Sequence, residues 1–94
     1  MITDLKKRAE HRGKIIEGQI KGLQKMIEQE KYCMDILTQS LAVQRSLGSL
    51  NKLILQNHLQ TCAKDKLNSG DETEQKAAID ELLNLYELNN IKSK

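Results

Sequence analysis

From Cys33 to Cys62 the chain runs for 29 residues without a proline and with a single glycine, Gly48. Leu and Gln are its commonest residues, and neither stops a helix. A continuous helix rising about 1.5 Å per residue would hold the two sulfurs about 40 Å apart. His58 stands four residues before Cys62, one turn away on the same helical face. The three donors therefore meet only if a second copy runs antiparallel, bringing Cys33 of one chain to His58 and Cys62 of the other. The dyad relating two such sites falls near residues 46–49. Ser46, Gly48 and Ser49 are small there and would let two helices approach.

The rest of the chain obeys the same helical grammar. Proline is absent from all 94 residues, so the expected fold class is all-α, with three helices and a long central one. Helix 1 is expected over about 3–30, with Thr3 as N-cap and an apolar stripe of Leu5, Ala9, Ile16, Ile20, Leu23 and Ile27. Helix 2 is expected over about 33–67. Ile36, Val43, Leu47, Leu50 and Ile54 form its seam, and Leu37, Leu41, Leu55, Leu59 and Cys62 widen it. Apolar residues on more than one face imply burial from several sides, as in an oligomeric bundle. Asn68-Ser69-Gly70-Asp71 is a helix stop followed by a new cap. Helix 3 follows over about 71–91, with Ile79, Leu82, Leu83 and Tyr86 on its apolar face and Lys92–Lys94 as a frayed tail.

Size and composition exclude several classes. A chain this short makes at most one domain with a modest core, and with no Trp or Phe the aliphatic residues must fill it. Such a protomer is expected to bury apolar surface against copies of itself. No apolar run approaches the roughly 20 residues that span a bilayer, and no signal-peptide core is present. Two cysteines without a disulfide-framework spacing imply a reducing compartment, and the expected location is the cytoplasm. No nucleophile–base–orienter set and no phosphate loop occurs, so an enzyme is not expected. The net charge of +2 is unevenly placed. Lys6, Lys7, Arg8, Arg12, Lys14, Lys21 and Lys25 crowd the first segment against Asp4, Glu10 and Glu17. A basic face of this kind suits a polyanion, or else is simply a solvated helix face.

Two thiolates and an imidazole suit Cu(I), which accepts two or three such donors; Zn(II) would want a fourth. The plainer reading is that the cysteines are small hydrophobes and the histidine an ordinary polar residue. The antiparallel arrangement favours the metal because it delivers a third ligand to the His58–Cys62 pair.

Ile16-Glu17-Gly18-Gln19-Ile20-Lys21-Gly22, Tyr32-Cys33-Met34-Asp35-Ile36-Leu37-Thr38-Gln39, Ala42-Val43, and His58 with Cys62 occur here in order. Over nearly the whole chain this pattern closely resembles the copper-sensitive operon repressor (CsoR) family, which also has a nickel- and cobalt-sensing branch. The resemblance implies a single domain over 1–94 and an all-helical dimer of dimers. It implies a repressor that binds operator DNA when metal-free and is released when Cu(I) binds between subunits. Cys33, His58 and Cys62 match the copper ligands. Tyr32 matches a tyrosine that supports the bound histidine together with a third-helix carboxylate. Glu74 is the expected carboxylate and Glu81 the alternative. Nickel- and cobalt-sensing members add an N-terminal histidine where this chain has Met1, Ile2 and Thr3. Formaldehyde-sensing members lack the second cysteine, and persulfide-sensing members lack the histidine.

Two positions depart from the pattern. Ile15 and Gly48 stand where family members usually carry basic residues on the DNA-facing surface. Arg12, Lys14, Lys21, Arg45 and Lys52 remain as the expected DNA contacts. Two other readings stay open at this stage. One is a repressor of the same fold sensing persulfide or thiol oxidation through Cys33 and Cys62. The other is a metal-binding helical oligomer that has lost specific DNA binding.

Overall fold

The computed structural model describes residues 1–91. Their regular structure is entirely helical: α1 (Thr3–Glu28), α2 (Cys33–Gln60), α3 (Cys62–Leu67) and α4 (Glu72–Ile91). The tail Lys92–Lys94, expected to fray, lies outside the described residues. The chain divides into two compact units, Met1–Asn57 and the remainder from His58 onward.

The first unit is a helical hairpin. Asn57 Oδ1 accepts from the Ile2 backbone N–H at 2.8 Å, and Gln39 Nε2 donates to the Gln19 carbonyl at 3.4 Å. One index rises as the other falls by nearly the same amount, so α1 and α2 run antiparallel in a fixed register. Leu5, Ala9 and Ile16 are the buried residues of α1, and Leu5 and Ala9 pack on Leu53 of α2 with Ile2 and Leu50 at the margin. The resemblance motif contributes to this packing. Ile16 is buried, and the Gln39 amide lies 4.0 Å from where a Cβ on Gly22 would stand.

Three expectations for this unit change. Thr3 is the first helical residue and Ile2 occupies the cap position without a side-chain cap bond. Its backbone N–H is taken by Asn57, a long-range bond with no local signal. Of the stripe drawn on α1, Ile20 and Ile27 remain exposed. On α2, Leu37, Leu41, Leu47 and Ile54 are exposed, and Val43 and Leu53 are the buried positions. Leu53 lies off the expected seam because α1, rather than α2's own pattern, selects which face is covered.

Helix α1 ends two residues short of the expected boundary, in a Schellman-type turn. The Lys31 N–H donates to the Met26 carbonyl and the Glu30 N–H to the Ile27 carbonyl, both at 3.0 Å. Glu30 sits at φ +50°, a left-handed conformation usually given to glycine at this place.

In the second unit the long helix expected over 33–67 is interrupted. Thr61 leaves helical geometry at φ −122°, ψ −92°, and its N–H reaches back to the His58 carbonyl at 3.4 Å. No proline or glycine marks the break. A β-branched residue gives up less than its neighbours on leaving the helix, and the chain gains a short α3 packed on α4. Ala63 on α3 and Ala78 on α4 are completely buried. The return is made as the residues demand. Ser69 Oγ donates to the Lys66 carbonyl at 2.8 Å, Gly70 takes φ +78°, and Asp71 Oδ1 accepts the Thr73 N–H at 2.9 Å as the cap of α4.

Candidate metal centre and basic cleft

Each proposed ligand sits at a helix end. Cys33 is the first residue of α2, His58 lies in its last turn, and Cys62 is the first residue of α3. Both cysteines are free thiols and exposed. Cys33 and His58 thus stand at opposite ends of a 28-residue helix, which at about 1.5 Å per residue measures roughly 40 Å. The break at Thr61 falls between His58 and Cys62, so the pair does not share one uninterrupted helical face. Thr61 Oγ1 and Cys62 Sγ approach to 3.8 Å. Among the described residues, no three His, Cys, Asp or Glu side chains of one chain converge as a metal cluster.

His58 is held by a carboxylate. Its Nε2 lies 3.2 Å from Glu81 Oε2, and Lys66 Nζ lies 3.1 Å from Glu81 Oε1. The Lys66 ammonium, by hydrogen bond and charge, and secondarily His58, hold the Glu81 carboxyl below the usual glutamate range. An ionised carboxylate only accepts hydrogen bonds, so neutral His58 meets it with a proton on Nε2 and leaves the Nδ1 lone pair open. This is how metal-binding histidines are commonly oriented. The carboxylate that lies beside His58 is Glu81, the alternative to Glu74. Glu74, the expected one, is exposed in the first turn of α4. Choosing between them required the α3–α4 register, which the loop between the helices hides in the sequence. Tyr32 is exposed just before Cys33, and its backbone carbonyl accepts from the Asp35 and Ile36 N–H groups at 2.9 and 3.1 Å.

The donor set fits Cu(I): thiols with access, and an imidazole whose Nε2 faces a carboxylate, with Nδ1 at the opposite ring position.

The basic residues are sorted by the hairpin. Lys7, Arg8, His11 and Arg12 of α1 and Ser49, Lys52, Leu53 and Gln56 of α2 line one open cleft. Of the expected DNA contacts, Arg12 and Lys52 meet there. Lys14, Lys21 and Arg45 are exposed elsewhere on the same unit, with Lys21 4.0 Å from Glu17. The spacing of Lys7, Arg8, His11 and Arg12 already places them along one side of α1. Lys52 joins them only through the antiparallel register. At Gly48, a Cβ would meet nothing within 4 Å in the chain itself, and the same holds for Gly13 and Gly18.

Residues 5–87 match the family model for metal-sensitive transcriptional repressors. The copper-sensing transcriptional repressor CsoR of Bacillus subtilis (strain 168) is 41% identical over 76 residues, covering 81% of this chain and 72% of that protein. CsoR of Mycobacterium ulcerans (strain Agy99) is 40% identical over 82 residues, covering 87% of this chain and 68% of its own length. Among solved structures, the copper-sensing repressor CsoR with Cu(I) from Geobacillus thermodenitrificans NG80-2 superposes with a TM-score of 0.74 at 28% identity, covering 92% of this chain and 88% of that one. This helical chain therefore belongs to the metal-sensitive transcriptional repressor family. No helix among the described residues is long and apolar enough to cross a membrane.

Proposed function

We propose that this chain is a Cu(I)-responsive transcriptional repressor acting as an oligomer, a homodimer or homotetramer. In the metal-free form it binds operator DNA, with Arg12 and Lys52 at the centre of the phosphate contact and Lys14, Lys21 and Arg45 adding positive charge at longer range around it. Cys33 of one subunit, with His58 and Cys62 of another, supplies the Cu(I) ligands. The bound ion would contribute a fixed link between subunits, favouring an arrangement with lower DNA affinity. Tyr32 and Glu81 orient His58 from outside the ligand set, and the whole chain acts as one domain in the cytoplasm.

The observation that carries this reading is the 3.2 Å approach of His58 Nε2 to Glu81 Oε2, which leaves Nδ1 available. Oligomerisation is supported by Leu37, Leu41, Leu47 and Ile54, exposed along α2, and by Ile79, Leu83 and Tyr86, exposed along α4. These side chains are already about half covered, and covering the rest is worth about 1 kcal/mol each. An antiparallel pairing of two α2 helices would cover the α2 residues and bring opposite helix ends together, with Gly48 near the dyad.

The test is an anaerobic Cu(I) titration against a competing chelator, with X-ray absorption on the loaded protein. One tightly held ion per subunit with two sulfurs and one nitrogen is expected. Weak or substoichiometric binding would instead favour sensing of persulfide or thiol oxidation, which the exposure of both free thiols supports. A gel shift at low salt with the DNA upstream of its own coding region then asks whether DNA binding survives Ile15 and Gly48. Its failure would leave a metal-binding helical oligomer.

A further inference from the structure

Lys66 belongs neither to the proposed donor set nor to the basic cleft, yet it holds the second oxygen of the carboxylate facing His58. Its Nζ lies 3.1 Å from Glu81 Oε1, while His58 Nε2 lies 3.2 Å from Oε2. The three side chains come from three elements: His58 from the last turn of α2, Lys66 from α3 and Glu81 from α4. A carboxylate bonded at one oxygen retains a broad, soft terminal torsion. Bonded at both oxygens by groups from different helices, it has one orientation that satisfies both. Which imidazole nitrogen bears the proton is set by the hydrogen bond that the ring makes. Holding the acceptor still is therefore a way of holding the tautomer.

We propose that Lys66 is a positioning residue for His58, acting through Glu81: by fixing the carboxylate, it keeps the imidazole proton on Nε2 and the Nδ1 lone pair open to a soft metal ion. The consequence for metal rests on the function proposed above, whereas the effect on the ring belongs to the metal-free chain. Exposed ion pairs contribute little to stability, and the Lys66 and Glu81 side chains are 38% and 48% exposed. The role of Lys66 should therefore show in the state of the imidazole and hardly at all in the melting temperature.

The experiment is a long-range proton–nitrogen spectrum of the metal-free full chain at neutral pH, with His11, the other histidine, as internal reference. In the unsubstituted protein His58 should show a protonated Nε2 and an unprotonated Nδ1. In Lys66→Met, which keeps a long apolar stem and removes the ammonium, the two His58 nitrogen signals should move toward each other as both tautomers become populated. Lys66→Arg should restore them, and Glu81→Gln should displace them at least as far as Lys66→Met; His11 should not move in any variant. Unchanged His58 signals in Lys66→Met would overturn the proposal, as would equal movement of His11. Chelator competition adds a second readout: Lys66→Met should weaken Cu(I) binding about tenfold, the low end for partners that orient a metal ligand. The two readings fail separately. A shifted tautomer in a chain that binds no Cu(I) keeps the positioning role and sinks the copper reading. Tight Cu(I) binding with an unmoved tautomer does the reverse.

Discussion

If the basic cleft receives DNA backbone, its size fixes how steeply binding falls with salt. Lys7, Arg8, Arg12 and Lys52 line it, four permanent cations per protomer. Each phosphate neutralised contributes about −0.9 to the slope of log affinity against log salt, so four give about −3.6 per engaged cleft. Between 50 and 200 mM salt that slope predicts roughly a 150-fold loss of affinity for one cleft. Replacing Arg12 and Lys52 together by Gln should halve the slope to about −1.8 and reduce the loss to roughly 12-fold. Replacing Lys14 and Lys21, which lie outside the cleft, should change the slope much less. The assay is fluorescence anisotropy on labelled DNA from upstream of the coding region, metal-free, across a salt series. Both double variants remove the same charge, so a difference between them belongs to the cleft rather than to total charge. Equal slopes for the two pairs, or a larger change from Lys14 and Lys21, would refute it.

Four further outcomes follow from particular residues. At fixed protomer concentration, Glu30→Gly should stabilise the fold by about 1 kcal/mol and Gly70→Ala should destabilise it by about the same amount, because both positions have left-handed φ; urea denaturation measures both. Ala78→Leu should cost about 1–3 kcal/mol by overfilling the α3–α4 contact at a side chain with no exposed surface, read as a lowered urea midpoint. The depressed Glu81 pKa gives stability that is fully present above the unfolded glutamate value and is lost as pH falls through the lower folded value; Glu81→Gln should flatten that acid limb in circular-dichroism titrations. Chains carrying Cys33→Ala and chains carrying Cys62→Ala should each fail to bind Cu(I) tightly, yet regain one intact site per heterodimer when refolded together. Absence of that rescue would count against a shared site.

The legible parts of this molecule were those decided within one turn of helix. The stop at Asn68–Gly70 and the cap at Asp71 follow from side chains acting on their own backbone, and they lie where the residue types place them. What required a partner element was not legible. Thr3 looks like a cap, but Asn57 reaches Ile2 from 55 residues away and moves the start. Thr61 carries no strong breaking signal, and the break reflects the packing of α3 on α4. Glu74 and Glu81 are both plausible carboxylates by spacing, and only that packing puts Glu81 on His58. The same applies to the cleft: a row of cations on α1 is visible in the sequence, whereas its closure by Lys52 depends on the hairpin register.

Among the described residues no large side chain is fully buried, and the interior consists of Leu5, Ala9, Ile16, Val43, Leu53, Ala63 and Ala78. In the proposed oligomer, a protomer with so thin an interior would draw much of its stability from association, which is governed by mass action. Each tenfold dilution of a dimer therefore removes about 1.4 kcal/mol from the assembled state at 25 °C. Subunits made in excess of their partners would spend more time open to proteases, so the copy number of the assembled protein would be limited from below as well as by synthesis. In such an assembly the fold itself would act as a gauge of its own abundance.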